Sequence, residues 1–177
     1  MEVTTEGAQS TNDRGSYHRD SGRMDFLGQV HMVVDTLNVR SERVGYLPKA
    51  RKLILTDPAE VRHPSGGVDC VRGEWDLEAG GGWFAGDSSA VARFVDGDLV
   101  VTGDSLALSD ALGVARGRVL LTDTAGSYRL GGDAVDFERE SDGGSGQVSL
   151  KGNAFAWLNE GDAPLLVQGP SITIATD

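Results

Sequence analysis

The chain has 177 residues, of which 39% are hydrophobic and 24% charged, a composition that can bury a core and argues against wholesale disorder. Sixteen Lys and Arg against 27 Asp and Glu give a net charge of -11, which argues against a nucleic-acid partner, because binding a phosphate backbone needs a basic patch. A single cysteine, Cys70, excludes an internal disulfide and any metal site built from several cysteines.

The first 25 residues are polar, mixed in charge and almost free of aliphatic side chains. We therefore predict a mobile tail over residues 1–25, followed by one domain over residues 26–177. No apolar run is long enough for a transmembrane helix, and residues 1–25 contain no export signal. A periplasmic location is expected if a signal or anchor has been removed, and otherwise the localisation is open.

From Phe26 onward, short apolar stretches alternate with clusters of Gly, Asp, Ser and Pro. The clusters are at residues 64–67, 79–82, 95–98, 141–146 and 159–162. Alternating apolar residues bounded by such clusters are typical of strands and turns, and no segment shows a convincing helical period. The sequence predicts an all-β fold.

A register of apolar residues recurs around five pivots: Val34, Gly103, Gly132, Gly152 and Gly169. The positions four and two before each pivot, and three and five after it, are all apolar or aromatic. These twenty residues are Val30, Met32, Leu37, Val39, Leu99, Val101, Leu106, Leu108, Tyr128, Leu130, Val135, Phe137, Val148, Leu150, Phe155, Trp157, Leu165, Val167, Ile172 and Ile174. A composition of 39% predicts about eight apolar residues among twenty.

The register changes phase by one residue at the pivot, where glycine tolerates a bent backbone. A bulge there keeps both halves of a strand of about ten residues facing one interior. The residue after the pivot is Asp35, Asp104, Asp133, Asn153 or Pro170, all common in turns. The pattern predicts an irregular stack of V-shaped antiparallel strands.

This pattern resembles the OstA-like domain family of periplasmic lipopolysaccharide-transport bridge proteins. The resemblance is carried by GDLVVTGDSLALSD (97–110), ARGRVLLTD (115–123), YRLGGDAVDF (128–137), GQVSLKGNAFAWL (146–158) and LLVQGPSITI (165–174). It implies an open twisted β-jellyroll whose apolar trough shelters the acyl chains of lipopolysaccharide or another acylated lipid. It also implies stacking through edge strands onto other β-jellyroll transport proteins or onto copies of the same chain, with neither catalysis nor a cofactor.

The positions that would line the trough are the sixteen register residues from Leu99 to Ile174. The closing segment from Leu165 to Thr176 carries no charge, although exposed sheet edges are usually guarded by charged residues. We therefore expect this edge to pair with a partner strand or a second copy.

Other candidate groups have simpler interpretations. Cys70 is expected to be a buried or half-buried thiol, and His31 an exposed imidazole on the polar side of a strand. The acidic pairs Asp96/Asp98 and Glu138/Glu140 could in principle serve glycoside chemistry, and Asp-Gly-Asp at 96–98 could ligate calcium. A solvated strand face and an ordinary turn are the favoured interpretations, so we expect neither catalysis nor a metal.

Trp75, Trp83 and Trp157 could form stacking platforms for sugars, but Trp157 belongs to the apolar register, which favours packing. The leading hypothesis is a non-enzymatic lipid-binding bridge module. The alternative is a structural β-protein, such as a virion or tail component, that assembles without a lipid.

Overall fold

The computed structural model describes residues 1–5, 8–64, 66–109, 111–138, 146–159 and 164–176. Over these residues the protein is all-β, without helix, which confirms the predicted fold class. Accordingly, no helix of the described chain is long and apolar enough to cross a membrane.

The described residues form seventeen strands that belong to one antiparallel sheet. The first five are β1 (Glu2–Thr5), β2 (Ala8–Thr11), β3 (Arg14–His18), β4 (Arg23–Val34) and β5 (Leu37–Leu47). The next eight are β6 (Lys52–Leu55), β7 (Ala59–His63), β8 (Gly66–Cys70), β9 (Arg72–Asp76), β10 (Gly81–Ala85), β11 (Ala92–Asp96), β12 (Leu99–Gly103) and β13 (Ser105–Leu108). The last four are β14 (Leu112–Asp123), β15 (Tyr128–Glu138), β16 (Gly146–Leu158) and β17 (Leu165–Thr176).

The strand pairings divide the sheet into two arms that the long strands join. Arm A contains β1, β2, β7, β8, β11 and β12, and arm B contains β3, β6, β9, β10 and β13. Strands β4, β5 and β14 to β17 pair through one half in arm A and through the other in arm B. The molecule is therefore an open jellyroll of stacked V-shaped strands, as the sequence predicts.

The strands turn from one arm into the other at two kinds of corner. The first kind is found at Gly103-Asp104 and Gly132-Asp133. Here the alternation of buried and exposed side chains shifts by one residue, so that Val101 before the corner and Leu106 after it face the same interior. In the second kind, a glycine and its successor both have positive φ: Gly28-Gln29, Gly117-Arg118 and Gly152-Asn153. The two successive left-handed residues add two residues to the strand. Because side chains alternate with a period of two, the strand continues with the same alternation of buried and exposed side chains after the corner.

Each glycine of the second kind packs against an aspartate on a neighbouring segment. A Cβ atom on Gly28, Gly117 or Gly152 would collide with the carboxylate of Asp13, Asp104 or Asp133, respectively. The residue after the glycine can hold the same carboxylate: Asn153 Nδ2 donates to Asp133 at 3.0 Å, and Arg118 pairs with Asp104. The three corners are thus one structural device used three times along the stack.

The core fills the space between the arms along most of the stack. Met32, Val39, Leu53, Phe84 and Val135 are fully buried. Burying each of their larger side chains contributes about 1.5–3 kcal/mol to folding. Aromatic rings also meet across the interior, since Phe94 of arm A stacks on Phe137 of arm B with centroids 6.3 Å apart.

The N-terminal region differs from the mobile tail predicted for residues 1–25. It contains β1, β2, β3 and the beginning of β4, and Ala8, Ser10 and Asn12 are buried. Backbone pairing with β4 holds β2 and β3 in place. Because the buried side chains there are small or polar, residues 1–25 show none of the apolar alternation on which the prediction depended.

The pivot at Val34 also differs from the prediction. Asp35 and Thr36 form the turn of a hairpin between β4 and β5, with Asp35 at a φ of 51°, so the chain reverses here instead of bending. The four register residues Val30, Met32, Leu37 and Val39 are nevertheless buried together, because a two-residue hairpin also places both strands on one interior.

Candidate functional site

The register residues form the inner surface between the two arms, with one exception on β16. Val101, Leu106, Leu108, Leu130, Val135, Phe137, Val148 and Leu150 are buried, and Leu99 and Tyr128 are half-buried. Pairing fixes this orientation, since paired residues of antiparallel strands point to the same side. Leu130 is opposite Leu121 of β14 and Ala156 of β16, and Val148 is opposite Phe137 and Ile174.

A cavity of about 520 Å³ lies between the arms near the C-terminal end of the stack. Arm A contributes Leu99, Leu121, Tyr128, Leu130 and Leu158, and arm B contributes Phe137, Val148 and Ile174. Six of these residues, all but Leu121 and Leu158, belong to the predicted trough lining. The remaining lining residues are Asp96, Gly97, Asp98 and Glu138.

The acidic lining residues come from the tips of the arms, where strands end. Asp96 ends β11 and Asp98 precedes β12, whereas Glu138 ends β15 on the opposite arm. Asp98 accepts a hydrogen bond from Thr124 Oγ1 at 2.9 Å. Burial, together with the nearby carboxylates of Asp123 and Asp98, raises the pKa of the Tyr128 phenol, which therefore stays protonated as a hydrogen-bond donor. The site combines an apolar interior with a polar, acidic opening.

Phe155 and Trp157 are the exception, and their predicted place in the trough is wrong. Ala154 and Ala156 are the buried residues of this half of β16, while Phe155 and Trp157 lie half-buried on the outer face. The reason is the corner at Gly152. Its two left-handed residues leave the alternation of buried and exposed side chains unchanged, whereas the prediction assumed that the alternation shifts by one residue there. Phe155 covers Gly131 of the adjacent strand, and the Arg129 guanidinium lies 5.6 Å from the Trp157 ring.

The prediction missed Leu121 and Leu158. Leu121 lies four residues after Gly117, at the position that an unchanged phase brings inside, and Leu158 follows Ala154 and Ala156 in the same alternation. A second register, with apolar residues two before and two and four after a glycine, would have identified Leu121. The sequence Ala115-Arg116-Gly117-Arg118-Val119-Leu120-Leu121 carries that signal.

Strand β17 is the last of the stack and pairs only with β16 among the described strands. Its inward side chains are the four predicted ones, because Leu165, Val167, Ile172 and Ile174 are opposite Leu158, Ala156, Leu150 and Val148. Ile172 and Ile174 are half-buried, whereas Leu165 and Val167 are 53% and 42% exposed. The apolar interior thus extends to the open end of the stack.

The other candidate groups show no catalytic arrangement among the described residues. Cys70 is buried, and this burial together with the Asp69 carboxylate raises the pKa of its thiol to about 12, which makes it unreactive. His31 is half-buried on the outer face, with its Nε2 2.9 Å from Asn38 Oδ1. Glu140 lies outside the described residues. Within them, no group of three or more His, Cys, Asp or Glu could hold a metal ion.

The remaining tryptophans lie on different sides of arm B. Trp75 is buried against Phe84, with ring centroids 5.7 Å apart, while Trp83 is 49% exposed on the outer face. The neighbours of Trp83 across the sheet are Glu74 and Ala107. Trp75 is thus a core residue, and Trp83 is an exposed ring on the outer face of arm B.

A wider and more open groove of about 840 Å³ runs beside the corners. Three of its charged side chains form ion pairs, since Arg62 contacts Glu60 at 2.6 Å and Asp69 at 2.8 Å. Paired charges of this kind are typical of a solvated surface. The apolar cavity is therefore the better candidate for a binding site.

No protein-family model matches the chain, and no curated protein matches it either. The candidate site is consequently defined by its own geometry.

Proposed function

We propose that this chain is a non-enzymatic binding and transport module that shelters an acyl chain of lipopolysaccharide or a similar glycolipid, and that it works in the periplasm. The observation that carries the proposal is the cavity between the arms, whose lining is mainly apolar. The resemblance of residues 97–174 to the OstA-like family supports the same function. The described residues offer this cavity no nucleophile paired with a base.

The size of the cavity suits one apolar chain. Its volume of about 520 Å³ falls within the ~300–1,000 Å³ of ordinary ligand pockets. Burying ten methylene groups would contribute about 8 kcal/mol at ~0.8 kcal/mol each. Association costs at least ~4 kcal/mol, so the net affinity is modest. Modest affinity suits a module that receives a lipid and passes it on.

The proposal includes stacking of modules end to end. The inner face of β17 presents Leu165 and Val167 to solvent, and its backbone edge is unpaired among the described strands. A strand from a second copy, or from another β-jellyroll transport protein, would cover these side chains and continue the sheet. The apolar interior would then run from one module into the next.

The test compares two tryptophan substitutions at neighbouring positions. Leu99→Trp places the larger ring in the cavity, whereas Val100→Trp, the matched control, places it on the outer face. Native mass spectrometry of the purified proteins should find acylated lipid bound to the unmodified chain and to the control, and much less bound to Leu99→Trp. If all three proteins lack lipid, also after incubation with lipopolysaccharide, the proposed function is wrong.

A self-assembling scaffold remains the second candidate, because the interior is closely packed along most of the stack. Val44, Leu53, Phe84 and Val101 are fully buried. Sedimentation velocity of the lipid-free chain separates the two functions. Long assemblies in the complete absence of lipid would favour the scaffold, and lipid-dependent association would favour the transport module.

A further inference from the structure

We infer that the stacked rings of Phe94 and Phe137 (the ring pair) close the cavity on the side of the N-terminal strands, and that they set the longest acyl chain that the cavity accepts. This inference rests on the proposed function, because it names a specificity determinant of the same cavity. The cavity is then a blind pocket, which a chain enters and leaves on the side away from the ring pair.

The first observation is that the ring pair bridges the two arms. Phe94 belongs to β11 in arm A, and Phe137 lies in the half of β15 that pairs in arm B. The ring centroids are 6.3 Å apart and the ring planes differ by 29°, which is a stacked contact. A trough between two arms ends where side chains from both arms meet, so the contact is a wall across the trough.

The second observation places the boundary of the cavity at this wall. Phe137 lines the cavity, whereas Phe94 does not. On arm A, Phe94 is opposite Val68 of β8 and Val101 of β12, which are 1% and 0% exposed and do not line the cavity either. The cavity therefore extends up to the Phe137 ring, and Phe94 belongs to the core behind that ring.

The third observation is that both rings pack on glycines of adjacent strands. A Cβ atom on Gly113 of β14 would collide with the Phe137 ring, and one on Gly66 of β8 would lie 3.0 Å from Cε2 of Phe94. Both phenylalanines are only 2% exposed. The two rings are thus supported by the sheet of each arm as well as by each other, as a fixed wall requires.

A closed end limits the length of the bound chain. The polar head of an amphiphile stays in water, so the end of its apolar chain is directed towards the ring pair. Each methylene group that the cavity still accommodates increases the affinity about fourfold. A methylene group in excess of this length stays in water and adds nothing.

The experiment measures affinity as a function of chain length. Isothermal titration calorimetry of the full chain uses hexyl, octyl, decyl, dodecyl and tetradecyl maltoside, each below its micellar concentration, so that the uncharged head is constant. The affinity should increase about fourfold per methylene group for the shorter chains. It should then stop increasing at a limiting chain length.

Phe137→Leu and Phe94→Leu each replace one ring of the pair by a smaller side chain. The space that the ring leaves should move the limiting length to a longer member of the series in both variants. The matched control, Phe84→Leu, makes the same substitution at a fully buried residue that does not line the cavity, and should leave the limiting length unchanged. Circular dichroism checks that the variants retain their β structure, and if one ring variant fails to fold, the other carries the test.

The outcomes distinguish this inference from the proposed function. A limiting length that is unchanged in a folded ring variant, or that shifts equally in Phe84→Leu, would overturn the inference. An affinity of the unmodified chain that increases throughout the series would also overturn it. These outcomes leave the lipid-binding module in place, because amphiphiles still bind. If no maltoside binds to the unmodified chain, the proposed function fails and the inference fails with it.

Discussion

Replacing Gly117 by alanine tests the corner that recurs at Gly28, Gly117 and Gly152. Gly117 has a φ of +65°, and a Cβ atom there would collide with the Asp104 carboxylate. The left-handed conformation costs an alanine about 1–2 kcal/mol. Moving Asp104 also disturbs its pairing with Arg118 and the hydrogen bond from its backbone amide to the Gly117 carbonyl, 2.8 Å long. Together these losses add about 1–2 kcal/mol.

We therefore expect Gly117→Ala to lower the free energy of unfolding by about 2–4 kcal/mol, measured by urea denaturation. The matched control is Gly126→Ala. Gly126 has a φ of +72°, and a Cβ atom there would meet no neighbouring atom within 4 Å, so only the backbone strain of about 1–2 kcal/mol should remain.

A double-mutant cycle with Asp104→Ala isolates the contact between the two residues. In the Asp104→Ala background, Gly117→Ala should cost no more than Gly126→Ala does. Equal costs for Gly117→Ala and Gly126→Ala in the unmodified background, within ~0.5 kcal/mol, would show that the packing of aspartate on glycine does not stabilise the corner.

Two further predictions concern the core. Phe137→Ala should lower the free energy of unfolding by about 3–5 kcal/mol, because Phe137 is buried and covers Gly113, whereas Phe155→Ala on the outer face should lower it clearly less. Urea denaturation of both variants checks this. Equal losses of stability would contradict the assignment of Phe155 to the outer face of β16. Raising the pH from 9 to 12 should lower the free energy of unfolding by up to about 1.4 kcal/mol per pH unit. The reason is that the Cys70 thiol ionises in the unfolded chain, whereas its raised pKa of about 12 keeps it protonated in the folded chain. Cys70→Ala should flatten this pH dependence, and an unchanged slope would mean that the thiol ionises equally in both states.

Much of the fold could be predicted from the sequence, because alternation in a β-protein is a local property. Leu99, Val101, Leu106 and Leu108 alternate on either side of Gly103, and their spacing alone indicates a strand that bends with its apolar side inward. This spacing predicted six of the eight apolar and aromatic side chains that line the cavity.

The phase at each corner could not be predicted in the same way. Gly103 and Gly152 look alike in the sequence, but the chain bulges by one residue at the first and makes two left-handed residues at the second. The difference depends on the neighbouring strand, where Asp133 packs on Gly152 and receives a hydrogen bond from Asn153. Residues twenty positions apart decide it, and so Phe155 and Trp157 were assigned to the wrong face.

The N-terminal strands and the cavity depend on tertiary structure for related reasons. Strands β2 and β3 have little apolar pattern of their own and are ordered by backbone pairing with β4, which no local period reports. The sequence by itself determined the strand-forming alternation and which side chains can be inward. Only the tertiary structure decided where the arms pack closely and where they leave a cavity, because that depends on which side chains from distant strands meet across the interior.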